Sequence, residues 1–518
     1  MSSRAHTLRN TMFSTVGMYT EFVLGMLVSI VIARHLGPHL FGAYSGVVWL
    51  MAMGVAIANA GTASAAIKFI AELRGGSREE QIVPLLAYLR RAQRRFLAVV
   101  LAACGVLIAL AGREVAPSLD AWVVLAFLLA TIPLRAAYMF NVGTAKGFEN
   151  FRATAMIALV AAPLNLLLVL AVAVAGLSVY WQLAVFFVSS VVFYALSRRQ
   201  VAPLTADMAG EATLAPALRG RVRHHMLYSA FTVAAGFVVG SEAEVLFLNL
   251  YDDEHGAGQF KVAYQLASGA AALVPGVFGA LLLPMMAGAL SQGREAARRK
   301  FVASTSYLVL LAAPLAAYGA LFSNALVAAL YGTEYLPAGP ALALCILGTA
   351  LTAATLGGSS LLISADRQRS VLLIVVGCGV LKVVLDWSLI GVAGLGGAVA
   401  AFVTVCAVQA VAIMALAVRS CGAVLDWPRL ARIAAAALLA GLVALPLRGS
   451  MVPMLEALLG AGAFGLAYAG LTLLFGCWSR GDIQHVQHLH GRMGATGGGI
   501  GARLLEWALR RASAEPTR

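Results

Sequence analysis

Charge is scarce in this 518-residue chain: Asp, Glu, Lys and Arg together make up 12% of it, about half the share found in a soluble globular protein. Cysteine is sparse too. Cys104, Cys345, Cys378, Cys406, Cys421 and Cys477 lie scattered, with no Cys-x-x-Cys among them, so neither a disulfide framework nor a metal site is indicated. No small-residue cleavage site follows the first apolar run, which is therefore expected to be a retained span and not a signal peptide. No loop is long enough for a catalytic domain and none carries a nucleophile constellation, so an enzyme is not expected.

Apolar residues fill the space that charge leaves, at 61% of the chain and a mean hydropathy of +0.87. A bilayer core about 30 Å thick needs roughly 20 apolar helical residues to cross it. Runs of that kind lie near 11–33, 40–62, 96–112, 119–141, 153–175, 179–197, 226–250, 262–289, 301–331, 339–363, 371–391, 394–418, 430–447 and 452–475. The expected fold is an all-α polytopic membrane protein of about 14 transmembrane helices. The runs far exceed the ~10-residue strands of outer-membrane barrels.

The net charge of +14 would suggest nucleic acid in a soluble protein, but here the basic residues sit in short loops between runs. With the N-terminus inside, 31 of the 37 Lys and Arg fall on the inner side. Arg34, Arg113, Lys261 and Arg448 fall outside, and Arg135 and Lys382 fall within spans. This bias sets topology, places both termini in the cytoplasm, and argues against a nucleic-acid partner.

Features recur in the same order in two halves. Glu21 marks the first span of one half, and Glu242 and Glu244 the first span of the other. The turns Gly42-Ala43-Tyr44 and Gly258-Gln259-Phe260 open the next spans, and basic patches precede the third. Transporter folds are often built from such repeats. The expected organisation is a six-helix lobe at 11–197, a cytoplasmic linker at 198–225 and a second six-helix lobe at 226–418. Accessory helices 13 and 14 at 430–475 and a cytoplasmic tail at 476–518 follow. In the tail, His485, His488 and His490 are read as solvated rather than metal-binding. Leu504, Leu505, Trp507 and Leu509 among arginines read as a short helix lying on the inner leaflet.

The segment VSIVIARHLGPHLFGAYSGVVWL, followed by NAGTASAAIKFIAEL, resembles the opening of Wzx-type polysaccharide (O-antigen) flippases. These form the polysaccharide-transporter branch of the multidrug/oligosaccharidyl-lipid/polysaccharide exporter superfamily. The resemblance rests on Arg34, Leu36, Gly37, Phe41, Gly42 and Tyr44 in the first turn, and on Gly391, Gly394, Gly397 and Ala398 in a later one. It implies two pseudo-symmetric lobes around a central cavity in a bacterial inner membrane. It also implies movement of undecaprenyl-diphosphate-linked oligosaccharide from the cytoplasmic to the periplasmic leaflet by alternating access, for O-antigen or exopolysaccharide synthesis. Membrane lipids, a polysaccharide polymerase and a chain-length regulator are the partners such a role implies. No cofactor is expected; coupling to a proton or sodium gradient stays open. A cation-coupled multidrug exporter of the same superfamily and a lipid II flippase remain as alternatives, as does a non-transporting scaffold.

Six ionisable residues fall inside the expected spans: Glu21, Arg135, Glu242, Glu244, Lys382 and Asp386. Each costs about 2.5–3.5 kcal/mol at a helix centre, so such residues usually face a cavity or a partner. Glu21, near mid-bilayer, reads as a proton- or cation-responsive gate or as a buried hydrogen-bonding group. Glu242 and Glu244, two apart, point to different helix faces, and at least one is expected at a rim. Arg135 offers a planar fork of donors suited to a diphosphate, or snorkels to headgroups. Lys382 and Asp386 form either a structural i,i+4 ion pair or a cationic site for the lipid diphosphate that Asp386 holds in place.

Overall fold

The computed structural model describes residues 3–478, except 77, 116, 207, 209–212, 241, 252 and 275. The tail histidines and the expected surface helix lie outside the described residues. Among these residues every regular element is a helix. The α-helices run in order α1 (Ser3–Asn59), α2 (Thr62–Gly75), α3 (Ile82–Val115), α4 (Ala121–Gly147), α5 (Phe151–Val174), α6 (Val179–Ala206), α7 (Pro216–Gly240), α8 (Ala243–Leu250) and α9 (Glu254–Leu273). They continue as α10 (Gly276–Ser291), α11 (Arg294–Leu321), α12 (Ser323–Tyr331), α13 (Ala338–Ala354), α14 (Leu356–Ser364), α15 (Gln368–Leu385), α16 (Gly391–Cys421), α17 (Trp427–Ala444) and α18 (Pro453–Leu474).

Among the described residues, ten helical stretches are long and apolar enough to cross a bilayer, eleven if the bent pair of α7 and α8 is one span. The expected fourteen are not counted one for one, and geometry explains part of the difference. The stretch Tyr19–Asn59 has 41 residues and Gln368–Cys421 has 54; at 1.5 Å per residue these are roughly 60 and 80 Å long, two bilayer cores or more. Each is broken at a glycine with positive φ, Gly37 (φ 69°) and Gly394 (φ 51°), a backbone state that only glycine adopts without strain. Pro38 follows the first break, and a proline lacks the N–H that would continue the helix. The single run expected at 226–250 is instead interrupted between α7 and α8, which meet at a 64° bend.

Helix starts follow their sequence signals. Asp120, Asn150 and Asp426 each accept a backbone N–H from the first turn of α4, α5 and α17, satisfying donors that a helix start otherwise leaves open.

By packing, the chain divides into two compact units. One comprises residues 1–261 with 379–398, the other 262–378 with 399–518. The first unit contains α1 to α8 and the segment around LKVVLDW. Within it α1 and α9 approach closely: a Cβ on Gly42 would lie 1.8 Å from the Glu254 carbonyl oxygen, and one on Gly258 would lie 2.0 Å from that of Pro38. The second unit packs the alanine-rich face of α17 against α11, α12 and α18. Tyr318 and Tyr468 each donate a hydroxyl proton to a neighbouring helix's carbonyl, Ala457 O and Leu310 O. Arg429 and Arg432 donate to the carbonyls of Cys477 and Phe475, just past the end of α18, and so tie α17 to that end.

Candidate functional site

In the first unit the chain buries charge where composition allows little. α8 is only eight residues long and carries Glu244 in its first turn. Its short, tilted course turns Glu244 inward, so the carboxylate is wholly buried. Lys382, in the last turn of α15, is equally buried, and its Nζ lies 3.1 Å from Glu244 Oε1. A second pair lies beside it, Lys261 donating to Glu242, and the Glu242 carboxylate also feels the Lys382 charge. Two lysines thus answer two glutamates, Glu244 wholly buried and Glu242 partly exposed.

Asp386 makes a fifth member. It opens a π-helical segment, Asp386–Ile390, between α15 and α16, and is itself fully buried. Neither carboxylate oxygen has a hydrogen-bond partner among the described residues. Of the two readings of Lys382 and Asp386, the i,i+4 ion pair is not the contact formed: the lysine is held by Glu244, from another helix, at 3.1 Å. The reason is tertiary packing: α8 brings the Glu244 carboxylate to the lysine nitrogen. Tyr251 donates its hydroxyl to the carbonyl of Trp387, 2.8 Å away, inside this segment. Its ring stands edge-on to the indole at 6.2 Å. Breaking a buried pair by removing one partner costs about 3–5 kcal/mol, because the other charge is left in low dielectric. The arrangement is chemically open in one respect: Lys382 lies one helical turn from Asp386, a carboxylate without a donor, while bound to Glu244.

Arg135 occupies a different site in the same unit. Its guanidinium lies between two rings of α6, 4.8 Å from the Phe186 centroid and 4.7 Å from that of Phe193. Nε donates to Ser190 Oγ at 2.9 Å, and Ser190 passes its own proton to Phe186 O. Such faces attract a cation by their quadrupole, so the guanidinium is positioned while its terminal nitrogens are not used by these contacts. Glu21 on α1 is exposed and lies within electrostatic reach of Arg135 and Tyr138. Of the six expected residues, the structure gathers Glu242, Glu244, Lys382 and Asp386 in one network and associates Glu21 with Arg135.

Two participants were not singled out from sequence. Lys261 reads from sequence as a residue on the outer side, yet it neutralises Glu242. Glu254, buried at the start of α9, accepts from the Ser118 backbone N–H at 3.1 Å and from its hydroxyl, and pairs with His39 at 3.2 Å. Its signal was faint: one acid in YDDEHGAG, indistinguishable from its loop neighbours. No group of three or more His, Cys, Asp or Glu placed to hold a metal ion occurs among the described residues.

The sequence profile of the polysaccharide biosynthesis protein family matches residues 7–290. No curated protein sequence matches significantly. Among solved structures, the lipid II flippase MurJ in an inward closed conformation superposes with a TM-score of 0.70 at 11% identity, covering 90% of this chain and 98% of that one. An inward-facing multidrug resistance MATE family transporter of the MOP superfamily gives 0.65 at 15% identity, covering 79% and 98%. A MOP superfamily transporter from Pyrococcus furiosus gives 0.56 at 14%, covering 80% and 95%. At these identities the likeness establishes the fold.

Proposed function

The chain belongs to the polysaccharide biosynthesis protein family, and we propose that it is a flippase carrying polyprenyl-diphosphate-linked oligosaccharide across a bacterial inner membrane by alternating access. The observation that carries this reading is the family match over residues 7–290. The basic loops, sorted to one side, support an orientation with both termini in the cytoplasm, and the proposed direction of transport is toward the outer leaflet.

The charges divide the work in this account. Lys382 is committed to Glu244, so the diphosphate falls to Arg135, whose planar fork suits phosphate oxygens. The aromatic rings on both faces hold that fork in place. Asp386 and Glu21 are the groups left to take up a coupling proton or sodium ion, Asp386 having no hydrogen-bond donor among the described residues. A cation exporter would need an acid-rich site with little compensation, whereas Glu242 and Glu244 are each paired with a lysine. Lipid II, the cargo named for one solved protein of the same fold, is the second reading.

Deletion of the gene tests the reading. It is expected to strand lipid-linked repeat units on the cytoplasmic leaflet and to remove a surface polysaccharide. Stranded lipid II with cell-wall failure selects the second cargo. Intact surface glycan and wall together with new drug sensitivity would sink the proposal.

A further inference from the structure

A second basic feature stands apart from the buried network. α3 carries the run RRAQRRF, with Arg90, Arg91, Arg94 and Arg95 just before its apolar stretch. Helical spacing sends Arg90 and Arg94, four apart, to one face, and Arg91 and Arg95 to another. The first pair faces a cavity of about 430 Å3 between α3, α4 and α6, where Arg198 joins from the far end of the apolar run of α6. No Asp or Glu lines this cavity. None of the three arginines has an acidic partner among the described residues.

The walls are built rather than incidental. Gln93, buried, spends its amide on Asn59 Oδ1 at 2.8 Å and Ala136 O at 2.9 Å, locking α3 to α1 and α4. Asn141, also buried, donates to Ser197 Oγ at 3.0 Å, which leaves its second amide hydrogen for a ligand. Arg90 lies over the Phe140 ring at 5.9 Å, a contact that orients a guanidinium without neutralising it.

Three uncompensated guanidinium groups around a rigid polar recess form an anion site. Their position, where apolar helix gives way to charge, puts that site at headgroup depth. We infer that the cavity between α3, α4 and α6, which Arg135 does not line, binds a phosphate group carried by an anionic membrane lipid or free in solution. Arginine forks bind phosphate bidentately, and basic pockets between transmembrane helices on the cytoplasmic side take up such headgroups.

The full chain in neutral detergent would be titrated with cardiolipin, with phosphatidylcholine and with inorganic phosphate, binding being read by native mass spectrometry and thermal shift. Cardiolipin should bind and stabilise while phosphatidylcholine does not. Replacing Arg94→Gln together with Arg198→Gln should weaken binding about thirtyfold, the factor expected from two basic side chains at a headgroup. Arg91→Gln, on the other face of α3, should leave it unchanged and serves as the folded control. Millimolar inorganic phosphate displacing cardiolipin places a soluble anion in the same recess; failure to displace assigns the site to lipid. Undiminished cardiolipin binding by the double variant, or equal loss in Arg91→Gln, would overturn the inference, since binding would then be a property of basic surface at large.

Discussion

Lys382 ends 3.1 Å from Glu244, a residue of another helix, and both side chains are wholly buried. The carboxylate one turn along, Asp386, is left without a hydrogen-bond partner among the described residues. Removing the lysine alone should therefore be worse than removing both charges. Lys382→Met is expected to cost about 3–5 kcal/mol, and Lys382→Met with Glu244→Gln to recover most of it. Thermal unfolding of the purified variants in detergent measures this. If the double variant is no more stable than the single one, the pair is not coupled.

The close approach of α1 and α9 makes a second prediction. A methyl on Gly258 would meet the Pro38 carbonyl oxygen at 2.0 Å, a backbone atom that cannot rotate away. Gly258→Ala should destabilise by about 1–3 kcal/mol or more, as overpacking does. Gly25→Ala, where nothing lies within 4 Å, should be close to neutral. Equal melting temperatures for the two would count against this packing.

Glu21 should act through its charge. Glu21→Gln keeps the size and removes ionisation, so transport in membrane vesicles should slow and lose its response to external pH. Transport by the Gln variant at the native rate, with the native pH profile, would make Glu21 structural.

Arg221 grips Glu72 with two nitrogens at 2.8 and 2.9 Å, and these hydrogen bonds hold the Glu72 carboxyl below its usual value. A depressed folded-state value means that the pair stabilises the fold above the ordinary carboxylate range. That contribution disappears as pH falls through the depressed value. Stability of the native protein should thus fall more steeply below pH ~4.5 than that of Glu72→Gln. Because the pair is partly solvent-screened, the difference should be small and should shrink further in salt. Parallel pH profiles would show that the pair contributes nothing.

The helices were legible because each crossing imposes a long apolar run, and the turns because glycine marks positive φ at Gly37 and Gly394. The break before α8 was not legible: VVGSEAEVLFLNL is apolar enough on both sides of its acids to read as one span. The pairing of charges was hidden for a different reason. Sequence offers only near neighbours, so Lys382 was weighed against Asp386, whereas its partner Glu244 comes from a distant helix brought close by tertiary packing. Lys261 was missed likewise, since a loop lysine and an intramembrane glutamate are far apart in any hydropathy profile. Arg135 was found by its isolation within an apolar run, but its aromatic setting comes from α6, not α4.

Reconstitution tests the transport claim most directly. The purified chain is placed in proteoliposomes with a fluorescent polyprenyl-diphosphate-linked oligosaccharide, whose exposure in each leaflet is read by membrane-impermeant quenching. The account predicts protein-dependent movement between leaflets that Arg135→Gln slows at least about tenfold, the loss expected when a charged contact to the diphosphate is removed. An unchanged leaflet distribution with the native chain, while the same vesicles move an organic cation, would contradict it.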